Sequence, residues 1–118
     1  MYTRLKVSEN LQVGTVVSFN TTSQGWVDAT DISALVGIVK TAPSQAEGDD
    51  FWTAEIVFSG LAYAKASRDI PAEGGMMAVE SGGVYAGAVS SDCGVVAPSP
   101  YNATAPRLAG ELVMVHLR

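Results

Sequence analysis

The feature that most constrains this chain is the spacing of its turn signals. Short apolar runs are separated by clusters of Gly, Ser, Asp and Pro at about every tenth residue, a spacing typical of sandwiches and barrels. Apolar residues rarely recur at the three- and four-residue spacing of an amphipathic helix. We therefore predict strands over residues 3–7, 15–20, 25–28, 36–41, 52–59, 61–65, 76–80, 83–86, 94–97 and 111–117.

This rhythm of strands and turns predicts an all-β fold, a compact β-barrel or β-tulip-like domain. The segment Ser81-Gly82-Gly83 leaves room only for a tight hairpin between its flanking strands, because glycine readily takes the positive φ that such turns require. The only helical feature that we expect is a single turn at 31–35, with Asp31 as its cap.

The two halves of the chain resemble each other, approximately over residues 5–58 and 64–117. Each half would be one β-unit with an apolar face that it cannot bury alone, so we predict that the copies face each other across a pseudo-twofold axis and share one core. Coincidence among Gly- and Val-rich strands is the alternative. The matched segments are 5–11 with 64–70, 14–17 with 75–78, 25–27 with 83–85, 37–39 with 94–96, 42–43 with 97–98, and 54–57 with 110–113.

Size and composition narrow the range of functions that this chain could have. The chain has 118 residues and a mass of 12.3 kDa, which predicts a single domain. Seven Lys and Arg against twelve Asp and Glu give a net charge of −5, which disfavours a nucleic-acid partner. The N-terminal sequence lacks a signal-peptide pattern and no run approaches the length of a membrane helix, so we expect a product of the cytoplasm with no membrane partner.

Hydrophobic residues make up 47% of the chain, and the mean hydropathy is +0.21. A domain of this size buries only about two-thirds of its unfolded surface when it folds alone. We therefore expect much apolar surface to be covered by oligomerisation or by a docked partner. An ordinary Ala- and Val-rich small domain is the alternative.

The sequence contains no recognisable catalytic motif, and we expect neither an enzyme nor a bound cofactor. Cys93 and His116 are the only conventional nucleophile and base, and they are better interpreted as a buried thiol and an exposed or interface imidazole. The acids Asp28, Asp31 and the Asp49-Asp50 pair match no complete calcium loop, so we interpret them as solvated loop residues. A glycosidase pair is the less favoured alternative.

Five aromatic residues could form a platform for sugar stacking: Trp26, Trp52, Tyr63, Tyr85 and Tyr101. Trp26 and Tyr85 occupy equivalent places in the two copies, which favours packing over ligand stacking. Aromatic residues are also enriched at protein interfaces. The candidates for an oligomer or partner interface are Trp26, Trp52, Tyr101 and His116.

The N-terminal segment has two interpretations. Residues 1–12 could form an arm that adds a strand to the sheet of a partner, or the first strand of their own domain, followed by a single β domain over 13–118. The residues of the arm that would bind a partner are Thr3, Arg4, Leu5, Lys6 and Val7.

Four segments together resemble the small decoration proteins of tailed-phage capsids, which are also called cement or head-stabilising proteins. The segments are VGTVVSF, GWVDATDISALVGIV, TAEIVFSGLAYAKA and IPAEGGMMAV, followed by the glycine hairpin. The resemblance rests on the order and pattern of these segments rather than on a diagnostic motif. It extends over most of residues 8–118.

The resemblance implies a β-barrel or β-tulip protein, usually a trimer, on the outside of an icosahedral virion. It would bind the major capsid protein and brace neighbouring capsid subunits after synthesis in the host cytoplasm. If the N-terminal arm of the family carries over, Arg4 and Lys6 would meet an acidic capsid surface. A carbohydrate-binding or adhesin module and a tail or baseplate β-domain of a phage particle are the alternatives.

Overall fold

The computed structural model describes residues 2–8, 11–22, 24–30, 36–45, 47–48, 50–87, 94–99 and 106–117. These residues form strands and turns and contain no helix, which confirms the predicted all-β class. The predicted helical turn at 31–35 lies outside the described residues. The strands are β1 (Tyr2–Val7), β2 (Val16–Asn20), β3 (Gly25–Asp28), β4 (Val36–Val39), β5 (Trp52–Val57), β6 (Gly60–Lys65), β7 (Gly75–Glu80), β8 (Gly83–Ala86), β9 (Gly94–Val96) and β10 (Leu112–Leu117).

The first five strands, which we call unit 1, close into a barrel with the order β1-β3-β2-β4-β5. Every residue of β1 pairs with β5 in antiparallel register, and the parallel contact between Val7 and Trp26 joins β1 to β3. Alternation places Val7 inside the barrel, while Arg4 and Lys6 lie outside. Of the two interpretations of the N-terminus, the structure therefore has a strand of the protein's own barrel, and residues 2–7 are not a free arm.

The last five strands, unit 2, form a sheet with the order β6-β10-β9-β7-β8. An isolated parallel bridge between Ala66 and Val84 links the two ends of this order. The predicted tight hairpin joins β7 to β8, with Glu80 paired to Gly83 and with positive φ at Ser81 (48°) and Gly82 (78°). Positive φ at both central residues matches the right-handed twist of the strands that the turn connects.

The two units pair their strands in the same way. The first and last strands of each unit are antiparallel, and both units contain an antiparallel hairpin, β2–β3 in one and β7–β8 in the other. The bridge Val7↔Trp26 in unit 1 has its counterpart in Ala66↔Val84 in unit 2. A pseudo-twofold axis between the units stays a prediction.

The strand registers correct two of the predicted matches and one predicted equivalence of aromatic residues. Ile56 corresponds to Val115, three residues beyond the position that the sequence comparison gave it, and Val16 corresponds to Met76 rather than Met77. Trp26 corresponds to Val84, as the match of 25–27 with 83–85 has it, so the predicted equivalence of Trp26 and Tyr85 is wrong. The short Gly- and Val-rich segments match almost as well when shifted, whereas a shift by an odd number of residues would exchange the inner and outer faces of a strand.

The apolar interior also differs from the prediction of one shared core, because it consists of two clusters. The unit 1 cluster contains Val7, Leu11, Val17, Val39, Ala54 and Ile56. The unit 2 cluster contains Ala64, Ala66, Ile70, Met77, Val79, Val84, Val96, Val113, Val115 and Leu117, joined by Val16, Ala29, Val36 and Ile38 of unit 1.

Strand β4 and the first two residues of β2, Val16 and Val17, join the units because their side chains are buried on both faces. All four residues of β4 are buried, with Val39 in the unit 1 cluster and Ile38 in the unit 2 cluster. This explains the uninterrupted apolar run of β4, since a strand covered on both faces has no polar side to alternate. The tip of the β7–β8 hairpin adds main-chain hydrogen bonds from Val16 N to Gly82 O and from Gly82 N to Ala29 O, both 2.8 Å.

Candidate functional site

The outward side of the β6–β10 pair is apolar. Small residues of β6, including Ala62 and Ala64, point into unit 2, whereas Leu61 and Tyr63 point outward. The same alternation on β10 places Val113 inside and Leu112 and Met114 outside. We call the four apolar residues on this side, Leu61, Tyr63, Leu112 and Met114, the apolar face; Lys65 and His116 are the polar residues on the same side.

The apolar face is accessible in the described structure. The exposed fractions are 69% for Leu61, 57% for Tyr63 and 51% for Leu112, and Met114 is half-buried opposite Tyr63. Isolated exposed hydrophobic residues are common, but a contiguous group on one sheet face is typical of an interaction surface. The apolar face is therefore the strongest candidate for a functional surface among the described residues.

A groove of about 480 Å³ runs beside this face, between β6 and unit 1. Residues 60–63 of β6 form one wall, and Ile38, Val39 and Val57 of unit 1 contribute to the other. Val13 and Leu112 also line it, and Lys40 is its one charged lining residue within the part of the chain that the structure describes. We call this space the groove.

A second hollow, of about 470 Å³, lies on the other side of Tyr63 and Leu112. Arg107, which is 9% exposed, lines this hollow together with Ser99 and Glu111. Its Nη2 atom donates a hydrogen bond to Pro71 O (3.1 Å), while Nε and Nη1 are buried and have no partner among the described residues. The apolar face thus has a hollow on each side.

The corresponding face of unit 1 is polar at three of the four positions, since Arg4, Thr53 and Glu55 replace Tyr63, Leu112 and Met114. By the strand registers, Arg4 corresponds to Tyr63 and Glu55 corresponds to Met114. Arg4 Nε donates a hydrogen bond to Thr53 Oγ1 (2.9 Å), and its Nη2 donates to Ser44 Oγ. The Lys6 ammonium lies 6.0 Å from the centroid of the Phe51 ring. The two cations assigned to a capsid-binding arm are thus outward residues of an internal strand and interact within their own unit.

The predicted interface residues do not form one surface, because the two tryptophans lie in unit 1 and His116 lies in unit 2. Trp26 and Trp52 are half-buried and pack against the unit 1 cluster, and the ring of Trp26 makes edge contacts with Phe19 and Phe58 at centroid distances of 5.7 and 5.1 Å. His116 is exposed and lies opposite Leu61 in the β6–β10 pair, so it borders the apolar face. Tyr101 lies outside the described residues.

The aromatic residues likewise form no shared platform in the described part of the chain. Tyr63 is on the apolar face, and Tyr85 is covered by the Arg68 guanidinium, whose central carbon lies 4.0 Å from the ring centroid. Arg68 also donates hydrogen bonds to both carboxylate oxygens of Glu80. The hydrogen bond from Arg68 lowers the pKa of Glu80 below its ordinary value.

The candidate chemical groups are dispersed. His116 and Asp28 are exposed, whereas Cys93, Asp31 and Asp49 lie outside the described residues. Within the described ranges, no group of three or more His, Cys, Asp or Glu residues is arranged to hold a metal ion. No helix long and apolar enough to cross a membrane occurs in those ranges either.

The sequence interpretation missed the apolar face, although a signal for it was present. Aligning 5–11 with 64–70 sets Leu5 and Val7 against Ala64 and Ala66. The second copy therefore has small residues inward, and its large apolar residues, Leu61 and Tyr63, fall on the outward phase.

No family model, curated protein or solved structure matches this chain.

Proposed function

We propose that this protein is a structural binding protein that docks onto a protein partner through the apolar face. The observation that supports this proposal most directly is the exposure of Leu61, Tyr63 and Leu112 on one side of the β6–β10 pair. Full burial of a large apolar side chain contributes about 1.5–3 kcal/mol, so covering this face would supply a substantial part of a specific association.

The partner that we propose is the major capsid protein of a tailed phage, with the chain on the outside of the icosahedral shell. The resemblance in the order of the strand segments supports this choice, and the net charge of −5 suits a protein that binds protein rather than DNA. A homotrimer would multiply a modest affinity per copy, because contacts made by linked copies act together. The acting surface would be the apolar face rather than an N-terminal arm.

Cosedimentation with empty expanded shells tests this proposal. The shells are assembled from the major capsid protein encoded with this chain, and the oligomeric state of the free protein is measured in parallel. Wild-type protein should sediment with the shells, and the double variant Leu61→Ser/Leu112→Ser should remain in solution. Phe19→Ser is the matched control, because Phe19 is also an exposed apolar residue, at 50%, but lies on unit 1.

Two results would contradict the proposal. Equal sedimentation of the double variant and the wild type would show that the apolar face is not the docking surface. A wild-type protein that ignores the shells but is retained on a polysaccharide column would favour the carbohydrate-binding alternative.

A further inference from the structure

The main chain of β6 has an unused edge. In an antiparallel pair, alternate residues direct both main-chain groups toward the same neighbouring strand. Ala66 N donates to Glu111 O (2.9 Å) on the β10 side, whereas Lys65 N donates to Gly14 O (2.8 Å) on the opposite side. Leu61 and Tyr63 share the phase of Lys65, so their N–H and C=O groups point away from β10.

These main-chain groups lie at the groove. Four consecutive residues of β6, 60–63, line it, so the strand edge itself forms a wall. Across the described residues, no main-chain hydrogen bond joins Leu61 or Tyr63 to a strand on that side. An edge with unpaired N–H and C=O groups is a template for a further strand.

The side chains on this edge protect it less than those of β1 protect unit 1. Proteins usually place charged residues on exposed edge strands, as unit 1 does with Arg4 and Lys6 on β1. Tyr63 takes the place of Arg4, and Lys65 keeps the charge of Lys6, so the stretch of β6 that lines the groove carries the apolar side chains of Leu61 and Tyr63 and no charge. The difference marks the edge of β6 as a binding surface.

We propose that the groove binds an extended segment of the protein partner, which pairs with β6 at Leu61 and Tyr63 as an added antiparallel or parallel strand. This inference rests on the proposed function and specifies the form of the partner's contact. Side chains on one phase of the segment pack against Ile38 and Val57, so that phase is apolar. An acidic residue of the segment lies beside Lys40, because this lysine is the one charge lining the groove within the described ranges.

A segment suits the groove better than a second copy of the chain. A volume of about 480 Å³ between β6 and unit 1 admits one short strand, whereas another folded unit would meet the wall formed by Ile38 and Val57.

Selection from a phage-displayed library of random heptapeptides on the full-length protein tests the inference. Enriched peptides should have apolar β-branched residues at alternate positions and an Asp or Glu toward one end. They should fail to bind the Leu61→Asp variant. The absence of enrichment, or enriched peptides that lack the alternation or bind Leu61→Asp equally well, would overturn the inference.

A pair of variants separates strand pairing from side-chain contact. Tyr63→Pro removes a main-chain N–H that points into the groove and removes no hydrogen bond to β10, whereas the control Tyr63→Val keeps the N–H. We expect Tyr63→Pro to bind the selected peptide about tenfold more weakly than Tyr63→Val. Equal affinities of two folded variants would exclude strand pairing.

N-methylation of the selected peptide gives the same test without altering the protein. Methylation of the amides on its β6-facing phase should weaken binding about tenfold, and methylation of the alternate amides should not. Dimerisation that Tyr63→Pro abolishes would instead identify a second copy as the occupant. If both Tyr63 variants bind shells equally, the groove inference is wrong while the proposed function stands. If the protein binds the peptides but does not bind shells, the groove inference stands and the proposed function is wrong.

Discussion

Units 1 and 2 share their strand pairing but present opposite surfaces at the same place. In unit 1 the outward pair on the first and last strands is Arg4 and Glu55, and in unit 2 it is Tyr63 and Met114. Strand pairing requires neither the polar pair nor the apolar pair, because both pairs point away from the interior of their unit. Under the proposed function, the outer face of unit 1 stays in water while the outer face of unit 2 binds the partner.

At the inward positions the two units differ in the placement of large and small side chains but not in polarity. In unit 1 the large Leu5 lies opposite the small Ala54, and in unit 2 the small Ala64 lies opposite the larger Val113. The larger member of the pair has changed strands, while each pair still combines an alanine with a branched aliphatic residue. Close packing constrains the total volume of the side chains at inward positions, whereas the outward positions of the same strands are free to vary.

The largest effect on stability should come from removing equivalent interior residues of the two units. Leu11→Ala and Ile70→Ala should each lower the free energy of unfolding by about 2–5 kcal/mol, with Ile70→Ala the greater because its side chain is completely buried. Each variant should unfold in urea as one transition, because Val16 and Ile38 of unit 1 belong to the unit 2 cluster. Two separate transitions would show that the units fold independently.

Exchanging the outward pair tests the comparison itself. The double variant Tyr63→Arg/Met114→Glu should bind shells at least about tenfold more weakly, because aromatic residues dominate interface energies. Its unfolding free energy should change by only about 0.5 kcal/mol, as expected for surface positions. The reciprocal variant Arg4→Tyr/Glu55→Met should self-associate in sedimentation velocity experiments. Unaltered shell binding by the first variant would remove the functional distinction between the units.

A smaller effect is expected at the hairpin tip that joins the units. A Cβ atom on Gly82 would lie 3.1 Å from Asp28 Cγ and Thr15 Cγ2, at a φ of +78°. Gly110 has a φ of +93° but no atom within 4 Å of that position. Gly110→Ala should therefore lose about 1 kcal/mol from backbone strain alone, and Gly82→Ala about 2 kcal/mol. Equal losses by thermal unfolding would show that the contact between the units tolerates the methyl group.

The smallest effect should come from the surface ion pair of unit 2. Glu80 corresponds to the neutral Asn20 in unit 1, and the hydrogen bond from Arg68 lowers its pKa in the folded protein. A lowered folded-state pKa stabilises the protein above the unfolded value and loses that contribution as the pH falls through the folded value. Glu80→Gln should thus reduce Tm slightly at neutral pH and not under acidic conditions. A difference that persists or grows in acid would contradict this assignment.

The strands were predictable from local sequence, whereas the apolar face was indicated only by comparing the two halves of the chain. Turn residues such as Ser81-Gly82 locate the strand ends because few residues adopt their backbone conformation. Leu61 and Tyr63 were counted only as strand residues, since local alternation does not say which phase faces inward. Which phase of β6 faces inward is fixed by its pairing with β10, in which Tyr63 lies opposite Met114. Because these two residues are far apart in the sequence, local patterns do not reveal the pairing. Cys93 and Tyr101 remain outside the described residues.

Hydrogen–deuterium exchange of the protein, free and bound to empty shells, tests the assignment of the docking surface most directly. Binding should slow exchange in peptides that contain residues 60–65 and 112–117. Exchange in the unit 1 segments that do not line the groove, residues 2–7 and 52–56, should be unchanged. Slowed exchange confined to the unit 1 segments, with β6 and β10 unaffected, would contradict the account.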